Sequence, residues 1–194
     1  MAGIPNPMNP FQGPLELLID AFTQLHIGYL VGGSVASSYH GRPRATVDVD
    51  ILADLGPQQV GPFIGRLSEE FVAFEDEVLS AIKDSRSFNL IHRRTVSKFD
   101  IFLPRGAFDR SQLHRAKLVP FNSFASRIEL FVASPEDVIL AKLRWFRLGG
   151  ETSERQWSDV RGVVEIQAGK LDLEYLNNWA QELRVQDLLA RALR

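Results

Sequence analysis

The residue types with most chemical potential in this chain are two glycines and a serine, Gly32-Gly33-Ser34, followed by the paired acids of Asp48-Val49-Asp50-Ile51. Glycines let backbone N–H groups approach an anion closely, and a helix that starts at them points its positive end at the same place. Two carboxylates two residues apart on a strand leave the same face, because strand side chains alternate. Held together they repel, and a bound divalent cation removes that cost. Oxygen-only ligands suit Mg²⁺ or Mn²⁺. A phosphate-binding turn beside a divalent-metal site points to chemistry on a nucleoside triphosphate. Each signal alone has an ordinary explanation, a strand-to-helix turn or a solvated strand face. Their order and spacing together are much less common.

A third acid extends the set. Asp100 lies in Lys98-Phe99-Asp100-Ile101-Phe102, with apolar neighbours like those around Asp50. On a strand beside Asp48 and Asp50 it completes a set for two-metal phosphoryl transfer, in which one group also serves the attacking hydroxyl. Arg44 and Thr46 share the carboxylate face if the strand already runs there, and are assigned with Gly32, Gly33 and Ser34 to nucleotide binding. Lys142 sits between Val138 and Trp145, away from the polar side of its helix. An unpaired buried ammonium is costly. It is read as a cation aimed across a cleft at phosphates, against the plainer reading of a snorkelling lysine. Arg155 and Asp159, four apart on the next helical segment, share a face and are either a surface pair or a supporting layer of the cleft. Arg93, Arg94 and Lys98, with Arg105, Arg110, Arg115 and Lys117, read as a scattered basic surface.

The elements that must position these groups follow from periodicity. Met1 to Pro14 carries four prolines and reads as a flexible arm. Helices are expected over 15–25, 34–39, 58–71 and 76–83, and strands over 29–31, 47–53, 87–92, 97–103, 117–121 and 128–132. Ser134-Pro135-Glu136-Asp137 is a strong helix start. Helical patterns then occupy 138–148, 154–167, 173–183 and 185–193. The expected organisation is an arm (1–14), an α/β unit (15–133) and a helical region (134–194).

Bulk composition narrows the class. The chain has 194 residues, 45% hydrophobic and 24% charged, as in an ordinary globular protein. A net charge of -2 provides no overall basic footprint for nucleic acid. The absence of cysteine rules out thiolate sites and fits a reducing, cytoplasmic setting. No Lys or Arg precedes Arg42, which argues against a secretory leader, and no apolar stretch is long enough to span a bilayer.

Gly33-Ser34, Asp48-Val49-Asp50 and Phe99-Asp100-Ile101 together resemble the motif set of the polymerase-beta-like nucleotidyltransferase superfamily. The string from Val31 to Ala36, with His40-Gly41, Arg44-Ala45-Thr46 and Asp48-Val49-Asp50, is similar to the bacterial AbiEii-type enzymes, which include toxins of toxin–antitoxin pairs. Ser134-Pro135-Glu136-Asp137 with Lys142, Arg155 and Asp159 resembles their helical C-terminal signature. The chain is shorter than many AbiEii toxins. The resemblance implies an α+β nucleotidyltransferase fold, a mixed β-sheet flanked by helices, followed by a C-terminal helical bundle. It implies Mg²⁺ or Mn²⁺ and an NTP substrate, with Gly33 and Ser34 on the triphosphate and Asp48 and Asp50 on both metals. Asp100 would bind the catalytic metal and activate the acceptor, and Lys142 would stabilise phosphate charge. Transfer to RNA or protein, with a cognate antitoxin as partner, is the leading expectation. A small-molecule, aminoglycoside-like acceptor and a non-catalytic nucleotide-binding or antitoxin-like module are the alternatives.

Overall fold

A computed structural model describes residues 11–122 and 127–194. The arm expected at 1–14 lies, up to Pro10, outside the described residues. Its remainder belongs to a helix, α1 (Gln12–Gln24), because Gly13 and Pro14 fall in the first turn, where Pro is tolerated. Leu15, Leu18, Ala21 and Phe22 form the buried stripe of α1. Phe22 stacks on Phe63 at 5.3 Å and on Tyr29 at 5.1 Å, which ties α1 to the sheet and to the helix that carries Phe63.

Then follow β1 (Tyr29–Val31), α2 (Gly33–His40), β2 (Asp48–Ala53), a 3-10 turn (Pro57–Gln59), α3 (Val60–Leu67), β3 (Phe71–Val72) and α4 (Glu75–Lys83). The single helix expected over 58–71 is therefore three elements. After Leu67 the chain turns, with the Glu70 N–H donating to the Leu67 carbonyl, and Phe71 enters the sheet as a fully buried edge residue. β4 (Phe88–His92) and β5 (Lys98–Phe102) come next, then α5 (Ala107–Arg115), β6 (Lys117–Asn122) and β7 (Arg127–Val132). The pattern left α5 unread. It buries Phe108 and the polar Gln112, so it carries no apolar stripe to signal a helix. The chain closes with α6 (Pro135–Leu148), α7 (Glu154–Ile166), α8 (Leu173–Glu182) and α9 (Gln186–Ala192).

Among the described residues the sheet has seven strands in the order β3-β4-β5-β2-β1-β7-β6. It is mixed: β2 runs parallel to β5 and β1 parallel to β7, while the other neighbours are antiparallel. Odd-numbered residues of the central pair, Val49, Ile51, Phe99 and Ile101, are buried in the core. Even-numbered residues take the opposite face, beside α2 and α6. The α6 start reads as expected. Ser134 accepts from the Asp137 N–H at 3.2 Å, Pro135 takes the first position, and Glu136 and Asp137 fill the first turn. Behind it, the Tyr175 hydroxyl donates to buried Asp137 at 2.6 Å and Arg115 pairs with Glu136 at 2.9 Å, fixing α6 against α5 and α8. Among the described residues no helix is long and apolar enough to cross a membrane.

Candidate active site

The site begins where β1 ends. Gly33 has φ +51, a conformation side chains rarely adopt, and a Cβ there would lie 1.7 Å from Asp50 Oδ2. The turn therefore closes directly on the carboxylate of the neighbouring strand. The Gly32 N–H donates to the Asp50 carbonyl at 2.9 Å, and the Ser34 N–H donates to the Asp50 carboxylate. Gly32, Gly33, Ser34 and Asp50 thus form one unit, held by backbone hydrogen bonds and by the absence of a side chain.

The acids assemble through strand register. Asp50 is the direct parallel partner of Asp100, and Asp48 of Lys98. All four side chains leave the same face. Burial, then the nearby charges of Asp48 and Asp100, push the Asp50 carboxyl up to about 6. Lys98 grips Asp100 through both oxygens, at 2.8 and 2.9 Å. That bond, with the added attraction of Asp100, Asp48 and Asp50, raises the Lys98 pKa. Lys98 is therefore not part of a scattered basic surface. Its two-residue spacing from Asp100 was the available signal. Among the described residues no three His, Asp or Glu side chains are drawn together as a ready coordination set. The donor chemistry at Asp48 and Asp50 still fits a hard divalent cation. Its ligands would be oxygens only, and the repulsion on Asp50 is the cost such an ion relieves.

The cationic side of the site is built on α6, α7 and the segment after α2. Lys142 is buried, only 4% exposed, and its ammonium lies 2.8 Å from Asp159 and 3.1 Å from Gln156 Oε1. Arg44 donates to both Asp159 oxygens, at 2.8 and 2.9 Å, and to Ser34 Oγ at 2.5 Å. Burial pushes the Asp159 carboxyl up, but the hydrogen bonds from Arg44 and Lys142 outweigh it and hold the carboxyl below its ordinary value. The segment reaches α7 because a Cβ on Gly41 would lie 2.8 Å from the Val163 nitrogen. Only a residue without a side chain fits there, and this close approach sets Arg44 over Asp159.

Not every expected residue arrives. Arg155 is exposed and lines no part of the cavity described below; Asp159 is held by Arg44 and Lys142 rather than paired with it. β2 starts at Asp48, so Thr46 precedes the strand. Its hydroxyl donates to the Asp48 carbonyl at 2.8 Å and lies 3.3 Å from the Asp48 carboxylate. Gln156, which sequence reasoning passed over, meets Lys142 one helical turn before Asp159.

Between the sheet and α6 lies a cavity of about 400 Å³, lined by Gly33, Ser34, Asp50 and Lys142 and by Phe102 and Trp145. Arg144, also on its lining, stands 3.6 Å from Asp109.

No family model matches the sequence, and no curated protein matches it. Solved structures do match. A protein from Thermotoga maritima described as a nucleotidyltransferase is 16% identical, with 81% of this chain and 97% of that one covered and a TM-score of 0.50. The lincomycin-bound lincosamide antibiotic adenylyltransferase LnuA is 17% identical over 80% of this chain and 97% of its own, with a TM-score of 0.49. An antigenic nucleotidyltransferase-like protein from Paracoccidioides brasiliensis is 17% identical over 92% and 90%, with a TM-score of 0.48. The chain has the nucleotidyltransferase fold: an α+β molecule with a mixed sheet, flanking helices and a helical C-terminal part.

Proposed function

We propose that this protein transfers a nucleoside monophosphate from an NTP to a hydroxyl of an RNA or protein acceptor. One observation carries the reading: a glycine turn too tight for any side chain seats Ser34 against Asp50, with Asp100 its strand partner and Arg44 bonded to Ser34. Ser34, Arg44 and Lys142 would hold the phosphates, as donors fixed in advance by Asp159. Asp48 and Asp50 would hold Mg²⁺ or Mn²⁺, which when bound supplies charge neutralisation for the triphosphate. The acceptor oxygen, beside Asp100, bonds to the α-phosphorus as the bond to the pyrophosphate oxygen breaks. Pyrophosphate leaves with the electron pair, and the hydroxyl proton passes to an Asp100 oxygen.

The two sides of the site differ in shape. The cavity beneath α6 has the size of a small-molecule pocket and suits the nucleoside. The Lys98 side is more open: the Lys98 side chain is 43% exposed, against 14% for Asp100. An open approach favours a macromolecular acceptor. A small-molecule acceptor is the second reading, supported by the same cavity if the nucleoside lies outside it. A toxin role with a cognate antitoxin rests on the motif resemblance to AbiEii-type chains.

Titration calorimetry with the four triphosphates, with and without Mg²⁺, tests the binding half of this proposal. Saturable, Mg²⁺-dependent binding that Ser34→Ala weakens is expected. Absence of binding under every condition would favour an antitoxin-like, non-catalytic module instead.

A further inference from the structure

The carboxylate end of the site carries a cation that belongs to the chain itself. Lys98 is two residues before Asp100 on β5 and directly opposite Asp48 on β2, so the backbone register delivers its stem to the acid face. Its ammonium is bonded to both oxygens of Asp100, at 2.8 and 2.9 Å. The other two acids are occupied differently. Asp50 takes the Ser34 N–H and Asp48 lies against the Thr46 hydroxyl. Among the described residues no cationic side chain is ion-paired with Asp48 or Asp50.

Lone pairs remain on Asp100, but magnesium at about 2.0–2.1 Å from an oxygen that Lys98 already holds would bring two positive charges together. An ammonium already engaged with both oxygens cannot stay there without placing two like charges side by side in a partly buried site. At Asp48 and Asp50 no ammonium holds the carboxylate oxygens; Lys98 and Lys142 act on these acids only through space. An ammonium also shares what a second divalent ion offers at this position: positive charge, and three N–H donors of which some remain to orient an acceptor oxygen.

We propose that this chain works with one divalent cation, held by Asp48 and Asp50, and that the Lys98 ammonium on Asp100 takes the position of the second. The inference rests on the nucleotidyl-transfer reading and corrects its two-metal form. Lys98 touches the acceptor oxygen and steadies its developing charge as the bond to the α-phosphorus forms. The proton passes to Asp100, whose carboxylate retains lone pairs beyond those given to Lys98.

Counting bound Mn²⁺ tests this without reference to turnover. The full chain is titrated with Mn²⁺ in the presence of a non-hydrolysable NTP analogue, and free ion is read by electron paramagnetic resonance. One ion per chain is expected for the unmodified protein. Lys98→Met should bind a second ion at least about tenfold more tightly than the unmodified chain does, since a competing positive charge is gone, and should develop the spectral signature of two coupled Mn²⁺. Lys98→Arg should keep one. Lys98→Gln serves if the methionine variant fails to fold, and the count on the unmodified chain stands alone if both fail. Two ions on the unmodified protein, or one ion on both it and the neutral variants, would overturn the inference and leave nucleotidyl transfer intact. No ion on any of them, with or without the analogue, would overturn both.

Discussion

Asp50→Asn should stabilise this protein at neutral pH in the absence of divalent ions. Asp50 sits in the folded chain with its pKa pushed up from 3.8 to about 6, by burial first and by Asp48 and Asp100 second. Because the folded state binds the proton more tightly than the unfolded one, stability falls as pH rises from about 4 to 6 and stays reduced above that. Each tenfold change in proton affinity is 1.36 kcal/mol, so holding Asp50 ionised at pH 7.5 costs about 3 kcal/mol. Asparagine keeps an oxygen for the Ser34 N–H and removes the charge. For a chain of this size, the gain corresponds to roughly 6–12 °C in Tm. The assay is thermal and denaturant unfolding of both proteins in chelator across pH 4–8. The variant should exceed the unmodified protein by the full margin at pH 7.5, with the gap closing near pH 4. Adding Mg²⁺ should raise the Tm of the unmodified chain more than that of the variant. An asparagine variant no more stable at pH 7.5, or a gap that does not narrow in acid, would show that the Asp50 charge is not held at a cost in the folded chain.

Gly33→Ala should lose about 1–2 kcal/mol from the left-handed backbone alone, and more because its methyl meets Asp50; denaturant midpoints check this, and NTP binding should vanish with it. Asp159→Asn removes the counter-charge of both Arg44 and Lys142, so a loss of about 3–5 kcal/mol is expected, whereas exposed Arg155→Ala should change stability by less than about 0.5 kcal/mol. Equal effects at the two positions would contradict the ion-pair assignment. Tyr175→Phe deprives buried Asp137 of one of its two hydroxyl donors, the other being Ser134, and should cost about 1.5–3 kcal/mol, with NTP affinity little changed, as calorimetry can establish.

Much of the site was legible because its residues are tied to local periodicity. Asp48 and Asp50 share a face by alternation, and their apolar neighbours Val49 and Ile51 mark the strand that carries them. Asp100 has the same surroundings, and the structure makes it the direct partner of Asp50. Gly33 was legible as a glycine needed for a turn, though not that its missing Cβ is the space Asp50 fills. What escaped depended on long-range approach. Arg44 meets Asp159 only because Gly41 lets the segment after α2 lie on α7, and no local pattern encodes a contact across 115 residues. Lys98 was read by charge along the chain, while its pairing with Asp100 is set by its face on the sheet. The helix α5 was missed because it buries one phenylalanine and one glutamine. The long helix expected to end at Phe71 was over-extended, because apolar residues on both sides of a turn kept its period.

Transfer of a labelled nucleotide is the decisive measurement for nucleotidyl transfer by this chain. The purified chain is incubated with α-phosphate-labelled NTPs, Mg²⁺ and a cell lysate or its RNA fraction, alongside Asp48→Ala and a chelator control. The expected result is Mg²⁺-dependent incorporation of label into RNA or protein, with release of pyrophosphate, abolished by Asp48→Ala and by chelator. Label that survives Asp48→Ala, or that enters no acceptor with any of the four nucleotides although they bind, would contradict it.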